Sequence, residues 1–126
     1  GGTISVLEAQ ESITKKIKRA VTDSDGEVRF DVEEKPGVSN LLSILAAATS
    51  STPEKVASSY SRYGDLKSDT ADAVIELLRP IQEKFRELES DPSETSRLLT
   101  LGSSKAREIS SATLDRAMRN IGLLEA

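Results

Sequence analysis

The chain of 126 residues contains no cysteine, no histidine and no tryptophan. Without cysteine or histidine it has no disulfide, no thiolate or imidazole metal ligand, no cysteine nucleophile and no histidine general base. Its longest nearly apolar run, residues 41–48, is far shorter than the ~20 residues that a membrane-spanning helix needs. We therefore expect a cytoplasmic domain with no membrane partner and with little of the usual catalytic chemistry.

Aromatic residues are scarce, and acidic residues outnumber basic ones. Phe30, Tyr60, Tyr63 and Phe85 are the only aromatics, which is too few for a continuous base-stacking platform. The net charge of −4 disfavours indiscriminate binding to polyanions such as DNA and allows only a local basic patch. Residues 1–21 and 92–126 are net positive, whereas the stretch between them is net negative.

The spacing of apolar residues predicts an all-α fold of five or six helices in a single domain over residues 1–126. Ser39, Thr52 and Asp91 are the expected N-caps of three helices. Pro80 is expected to kink a long helix, and Gly102 to break or bend the last one. Residues 27–32 alternate between apolar and polar, which predicts a short extended arm. The expected helices cover residues 8–21, 38–49, 54–60 and 66–89, a segment beginning at residue 92, and a last segment that ends at Gly122.

Two acidic patterns are interpreted as structural. Asp23 and Asp25 resemble the start of a calcium loop, but Val28 replaces the glycine that the sharp turn of such a loop requires. We therefore interpret residues 23–26 as a capped turn and expect no metal site. Pairs such as Asp69 with Asp72 have basic neighbours along the helix, which favours ion pairing over acid–base catalysis.

Two basic clusters are candidate RNA contacts, because lysine and arginine neutralise phosphates whatever the base sequence. The first cluster lies on the first helix and the second on the last helix. Either cluster could equally be a solvated helix face, and acidic residues dilute the charge of the second. The first consists of Lys15, Lys16, Lys18 and Arg19, and the second of Lys105, Arg116 and Arg119.

Several of these segments, taken in order, resemble bacterial tryptophanyl-tRNA synthetases of class I. The resemblance covers nearly the whole chain, and several separate motifs in the right order make it specific. It is carried by residues 13–24, 28–31, 35–42, 63–67 and 78–83 and by the closing helix, residues 102–122.

The resemblance implies the C-terminal helical domain of such an enzyme, which binds the anticodon region of tryptophan tRNA. The family joins tryptophan to its tRNA with ATP and magnesium on a Rossmann domain, and it acts as a homodimer. Its His-x-Gly-His and Lys-Met-Ser-Lys-Ser signatures do not occur in these residues. We therefore expect no catalytic residues and no bound cofactor in this chain.

Two other interpretations remain open at the level of sequence. The chain could be a free-standing helical module that dimerises through apolar faces, with Ile13, Ile17 or the pair at residues 123–124 exposed. The related tyrosyl synthetases are a third possibility, which residues 35–42 and 78–83 disfavour.

Overall fold

A computed structural model describes residues 2–123, and within that range the chain is helical without a β-strand. The described residues fall into two compact units, one ending at Glu83 and the other beginning at Lys84. The helices, and the absence of strands from residues 2–123, confirm the predicted all-α class. The assignment of residues 1–126 to a single domain stays a prediction. No helix in the described range is long and apolar enough to cross a membrane. The five helices are α1 (Gln10–Lys18), α2 (Pro36–Ala48), α3 (Pro53–Ala57), α4 (Tyr63–Ser90) and α5 (Pro92–Asn120).

The first unit contains the hydrophobic core, to which α1, α2, α3 and the first half of α4 all contribute. Helix α2 is central because its apolar residues lie on nearly every face, as the sequence predicts. Ile13 and Ile17 are also fully or almost fully buried, so the expectation that they are exposed is wrong. Their burial removes a large apolar surface from water, worth roughly 1.5–3 kcal/mol per side chain. The core consists of Ile13, Ile17, Val38, Leu41, Leu42, Leu45, Ala46, Val56, Ala57, Leu66, Ala71 and Val74.

The start of α2 is set by close packing and not by the expected cap. Pro36 occupies the first turn, so Ser39 lies inside the helix and the prediction that it is the N-cap is wrong. Gly37 packs against the backbone of Val21, where an added Cβ atom would overlap the Val21 carbonyl oxygen. Only glycine allows the two backbones to approach this closely.

Residues 26–31 belong to no helix or strand and residues 32–34 form a turn, so the extended arm expected over residues 27–32 stays a prediction. This segment is held by α2. The hydroxyl of Ser39 donates to the carbonyl of Asp31 at 2.7 Å and accepts from the Asp31 N–H at 2.9 Å. Val28 and Phe30 are half-buried against the core. Polar and apolar contacts therefore both hold residues 27–32 against the rest of the first unit.

The second unit consists of the end of α4, a tight turn and α5. Asp91 caps α5 by accepting from the N–H groups of Ser93 and Glu94, both at 3.1 Å, which confirms the predicted cap. The carboxylate of Glu94 pairs with Arg97. Helix α5 continues through Gly102 without a break, because one glycine costs only about 1 kcal/mol relative to alanine inside a helix.

Helix α4 continues through Pro80, so the proline does not end the helix. The expected kink at that position stays a prediction. The predicted fifth and sixth helices are one continuous helix, α5, and the count of five lies within the expected range.

Candidate nucleic-acid interface

The basic cluster of α1 lies at the C-terminal end of that helix, with Arg19 as its C-cap, and points away from the buried Ile13 and Ile17. Lys15, Lys18 and Arg19 are exposed and line a shallow groove of about 620 Å³. Ile75 of α4 lines the same groove, together with Gln10, Glu11 and Thr14. The structure therefore brings three of the four predicted cations of this cluster together.

Lys16, the fourth member of that cluster, has a different environment. Its ammonium group lies 2.6 Å from the carboxylate of Glu8 and donates to the carbonyl of Thr3 at 2.8 Å. Glu8 also accepts from the hydroxyl of Ser12 and from the N–H of Ser5. The hydrogen bond with Lys16, followed by those with Ser12 and Ser5, lowers the pKa of Glu8 to about 2. Lys16 thus fastens the N-terminal segment to α1.

The N-terminal segment is also fastened to α4. The side-chain amide of Gln82 donates to the carbonyls of Val6 at 2.8 Å and of Glu8 at 3.1 Å. Together with Lys16, this amide fixes residues 3–8 against two helices of the first unit. Gln82 lies 74 to 76 positions from its two partners in the sequence. No periodic or charge pattern in the sequence predicts contacts over that distance.

The basic cluster of α5 lies in the second unit. Lys105, Arg116 and Arg119 are all exposed, and none of them forms an ion pair with another residue in the range 2–123. At 100° per residue, their spacing places them within about 60° of one another around the helix. They therefore share one face of α5, as the sequence predicts.

A buried lysine forms a charged cluster that sequence reasoning missed. Lys35, at the start of α2, is only 1% exposed. Its ammonium group donates to the carboxylates of Asp23, at 3.1 Å, and Asp25, and to the phenol oxygen of Tyr63 at 3.1 Å. The Tyr63 hydroxyl also lies within hydrogen-bonding distance of Asp23, Asp25 and the carbonyl of Glu27. These contacts join the turn at residues 23–27 to the first residues of α2 and α4.

The protonation states of this cluster suit a structural role. Burial alone would lower the pKa of Lys35, but the hydrogen bonds with Asp25, Tyr63 and Asp23 outweigh it and raise that pKa. The pKa of Asp25 is lowered, chiefly by its hydrogen bond with Lys35. A lysine that stays protonated cannot act as a general base or an amine nucleophile. Residues 23–35 begin with acidic and end with basic side chains, and this pattern is visible in the sequence. The pattern does not show which of these side chains contact each other.

The predicted capped turn at residues 23–26 is confirmed. The carboxylates of Asp23 and Asp25 accept from the N–H groups two residues later, at 3.3 Å and 2.9 Å, and Gly26 has a φ of +80°. Among residues 2–123, no three acidic side chains converge in a way that could hold a metal ion.

The acidic residues spaced along α4 have two kinds of partner, a phenol and an ammonium group. Asp69 accepts from the hydroxyl of Tyr60 at 2.8 Å, and burial together with this bond raises the pKa of Tyr60 to about 12. Glu87 forms an ion pair with Lys84 at 2.8 Å, as expected for charges on one helix face. Asp69 is thus held by a phenol and not by the basic neighbour that the sequence suggests.

Comparison with known proteins shows to which family this chain is similar. Residues 1–79 match the family described as tRNA synthetases class I (W and Y). The chain is 48% identical to tryptophan–tRNA ligase 1 of Streptomyces avermitilis over 99% of this chain and 38% of that protein. It is 43% identical to the tryptophan–tRNA ligase of Bacillus anthracis over 95% of this chain and 37% of that protein.

A solved structure gives the same result for the fold. The crystal structure of tryptophanyl-tRNA synthetase from Mycoplasma pneumoniae matches 96% of this chain and 38% of its own length, with a TM-score of 0.80 and 28% identity. The chain thus spans less than two fifths of the length of the relatives it matches. Sequence and fold agree, and the chain belongs to the class I tRNA synthetases of the tryptophan and tyrosine group.

Proposed function

We propose that this chain is the C-terminal helical part of a tryptophan–tRNA ligase and that it binds the anticodon region of tryptophan tRNA. The observation that carries the proposal is the match of 99% of the chain, at 48% identity, to a tryptophan–tRNA ligase. We assign activation of tryptophan with ATP and magnesium to the larger part of the ligase outside these residues. The complete enzyme acts as a cytoplasmic homodimer that uses neither DNA nor a membrane as partner.

The exposed basic face of α5, made of Lys105, Arg116 and Arg119, is the proposed RNA-reading surface. Glu108 and Asp115 are also exposed on this helix and dilute its positive charge. A diluted face suits hydrogen bonding to base edges better than a row of phosphate contacts. Arginine donors in a fixed planar arrangement can recognise such edges.

The test uses the full-length ligase that contains this chain. Arg116→Ala and Arg119→Ala should each weaken binding of a tryptophan tRNA transcript, by about 1–3 kcal/mol where the side chain contacts a base. Arg107→Ala is the matched control, because Arg107 is exposed on the same helix and lies on the opposite side from Arg116. Equal affinity in both variants and the control would exclude this face, and a wild-type ligase that does not bind the transcript would overturn the proposed function.

A second candidate function, self-association, is favoured by the apolar stripe of α5. Ile109 is 79% exposed, and Leu99, Leu114 and Ile121 are more than half exposed. Exposed apolar surface of this kind is typical of interaction sites. Of the expected contributors, Leu123 is exposed and residue 124 lies outside the described residues. Analytical ultracentrifugation of the chain at high concentration should show oligomers, and a clean monomer would contradict this candidate.

A further inference from the structure

Most basic side chains of the first unit have a partner within the described residues. Lys67 donates to the carbonyl of Ala20 at 2.8 Å and to the hydroxyl of Thr22 at 3.2 Å. Five further cations are held by carboxylates. These pairs are Lys16 with Glu8, Arg29 with Glu34, Lys35 with Asp23, Arg62 with Asp65 and Arg79 with Glu76.

Four cations of residues 2–83 have no such partner there, and three of the four lie together. Lys15, Lys18 and Arg19 line the groove of about 620 Å³ on α1, whereas Lys55 lies apart from them, beside Tyr60. In a protein of net charge −4, three exposed cations without ion pairs in one groove form a local site for a negative partner. Glu11, which also lines the groove, offsets only part of this charge.

The groove suits an extended anion better than a small enclosed one. Lys15 and Arg19 lie one helical turn apart, about 6 Å along the axis, so their side chains can reach neighbouring charges of one chain. Ile75 supplies an apolar surface in the same groove, which a sugar ring can contact. A ribose–phosphate backbone fits both features, because it carries charges at regular intervals and sugars join them.

We propose that Lys15, Lys18 and Arg19 form a subsite for the ribose–phosphate backbone of RNA, that this subsite does not read bases, and that Lys16 is not part of it. The inference rests on the proposed function, because tRNA is the RNA that the ligase would present to this groove. It separates two tasks, with phosphates bound at α1 and base edges contacted by α5. Lys16 is excluded because the ion pair with Glu8 and the bond to Thr3 engage its ammonium group.

The experiment measures RNA affinity at several salt concentrations between about 50 and 200 mM, because each phosphate contact adds close to one unit to the slope of log affinity against log salt. The proteins are the full-length ligase and its Lys15→Ala, Lys18→Ala, Lys18→Arg, Arg19→Ala and Lys16→Ala variants. The probes are a tryptophan tRNA transcript, the same transcript with all three anticodon bases replaced, and poly(U). Thermal unfolding of each variant checks that it is folded.

For the subsite variants, we expect the salt slope to fall by roughly one unit per lost contact. The fall should be the same with both transcripts, since a phosphate contact carries no base information. Lys18→Arg should restore the slope because it restores the charge. Lys16→Ala should keep the wild-type slope and lower the Tm, because it releases the N-terminal segment.

The outcomes separate this inference from the proposed function. Unchanged slopes in all three subsite variants would overturn the subsite, even where the wild-type ligase binds tRNA. A slope reduced only with the native anticodon would also overturn it, since the groove would then read bases. Equal wild-type affinity for the two transcripts would overturn anticodon recognition, while a poly(U) slope that depends on Lys18 would still support the subsite.

Discussion

Helices α1 and α5 carry the same kind of apolar stripe, yet one stripe is buried and the other is exposed. Ile13 and Ile17 of α1 lie in the core, whereas Ile109 and Leu114 of α5 are more than half exposed. Both stripes have helical spacing and both helices have basic residues on the other side. Periodicity therefore predicts the helix and the direction of its stripe, but it does not tell whether another element covers the stripe.

The largest expected contrast between the two units comes from truncating one leucine in each. Leu42 in α2 is 0% exposed and Leu99 in α5 is 67% exposed. Leu42→Ala should lower the free energy of unfolding by about 2–5 kcal/mol, because it removes buried methyl groups and leaves a cavity. Leu99→Ala should change it by no more than about 0.5 kcal/mol. Urea denaturation of the chain measures both values, and a large loss at Leu99 would mean that its stripe is covered in solution.

A second contrast compares a buried ion pair with an exposed one. Lys35→Met should lower the Tm by about 10 °C, because it leaves the carboxylates of Asp23 and Asp25 without their cation. Lys84→Met, which removes the exposed pair with Glu87, should leave the Tm almost unchanged. Differential scanning calorimetry gives both Tm values. Similar values for the two variants would show that the Lys35 cluster is not what holds the turn at residues 23–27.

A third contrast concerns two glycines whose replacement should have opposite effects. Gly37→Ala should destabilise the chain by about 1–3 kcal/mol, since the new Cβ atom would overlap the Val21 carbonyl. Gly102→Ala meets no atom within 4 Å and should stabilise α5 by about 0.5–1 kcal/mol. Denaturation curves of the two variants provide the test, and a gain in stability at Gly37 would contradict the close approach of the two backbones.

The smallest expected effect is the acid sensitivity of the N-terminal segment. The pKa of Glu8 falls from 4.5 to about 2 on folding, so the folded state holds the ionised form more tightly. Its stabilising contribution is complete above pH 4.5 and is lost as the pH falls toward 2. Glu8→Gln should therefore flatten the decrease in Tm over that pH range. A decrease as steep as in the wild type would assign the acid sensitivity to other carboxylates, such as Asp23 and Asp25.

Local features of the fold follow from the sequence because short-range rules determine them. Thr52 and Asp91 cap their helices as predicted, and Gly26 closes the expected turn. Ser39 is not the N-cap of α2, because Pro36 also begins a helix well and local rules do not choose between two adequate starts. The break predicted at Gly102 does not occur, because the cost of one glycine is small in a long helix.

The candidate site was predictable as a list of charges but not as an arrangement. The spacing of Lys15, Lys18 and Arg19 places them on one side of α1, and the groove beside Ile75 confirms that they lie together. The different environment of Lys16 depends on Glu8 and Thr3, which meet it only because the N-terminal segment folds back. The Lys35 cluster needs residues up to 40 positions apart, and such pairings follow from the packing of the core.

The hydroxyl of Ser39 has a consequence for how a segment that is neither helix nor strand can lie in a helical protein. A β-strand normally satisfies its backbone through a neighbouring strand, and an unpaired one presents a row of groups to which another chain can add. At Asp31 this hydroxyl accepts from the N–H and donates to the carbonyl, which also accepts from the Lys35 N–H, so that residue needs no neighbouring strand. Alanine at position 39 would remove both functions, whereas threonine would retain them. The Ser39 hydroxyl thus lets this segment lie against helices without offering the Asp31 N–H to a second molecule.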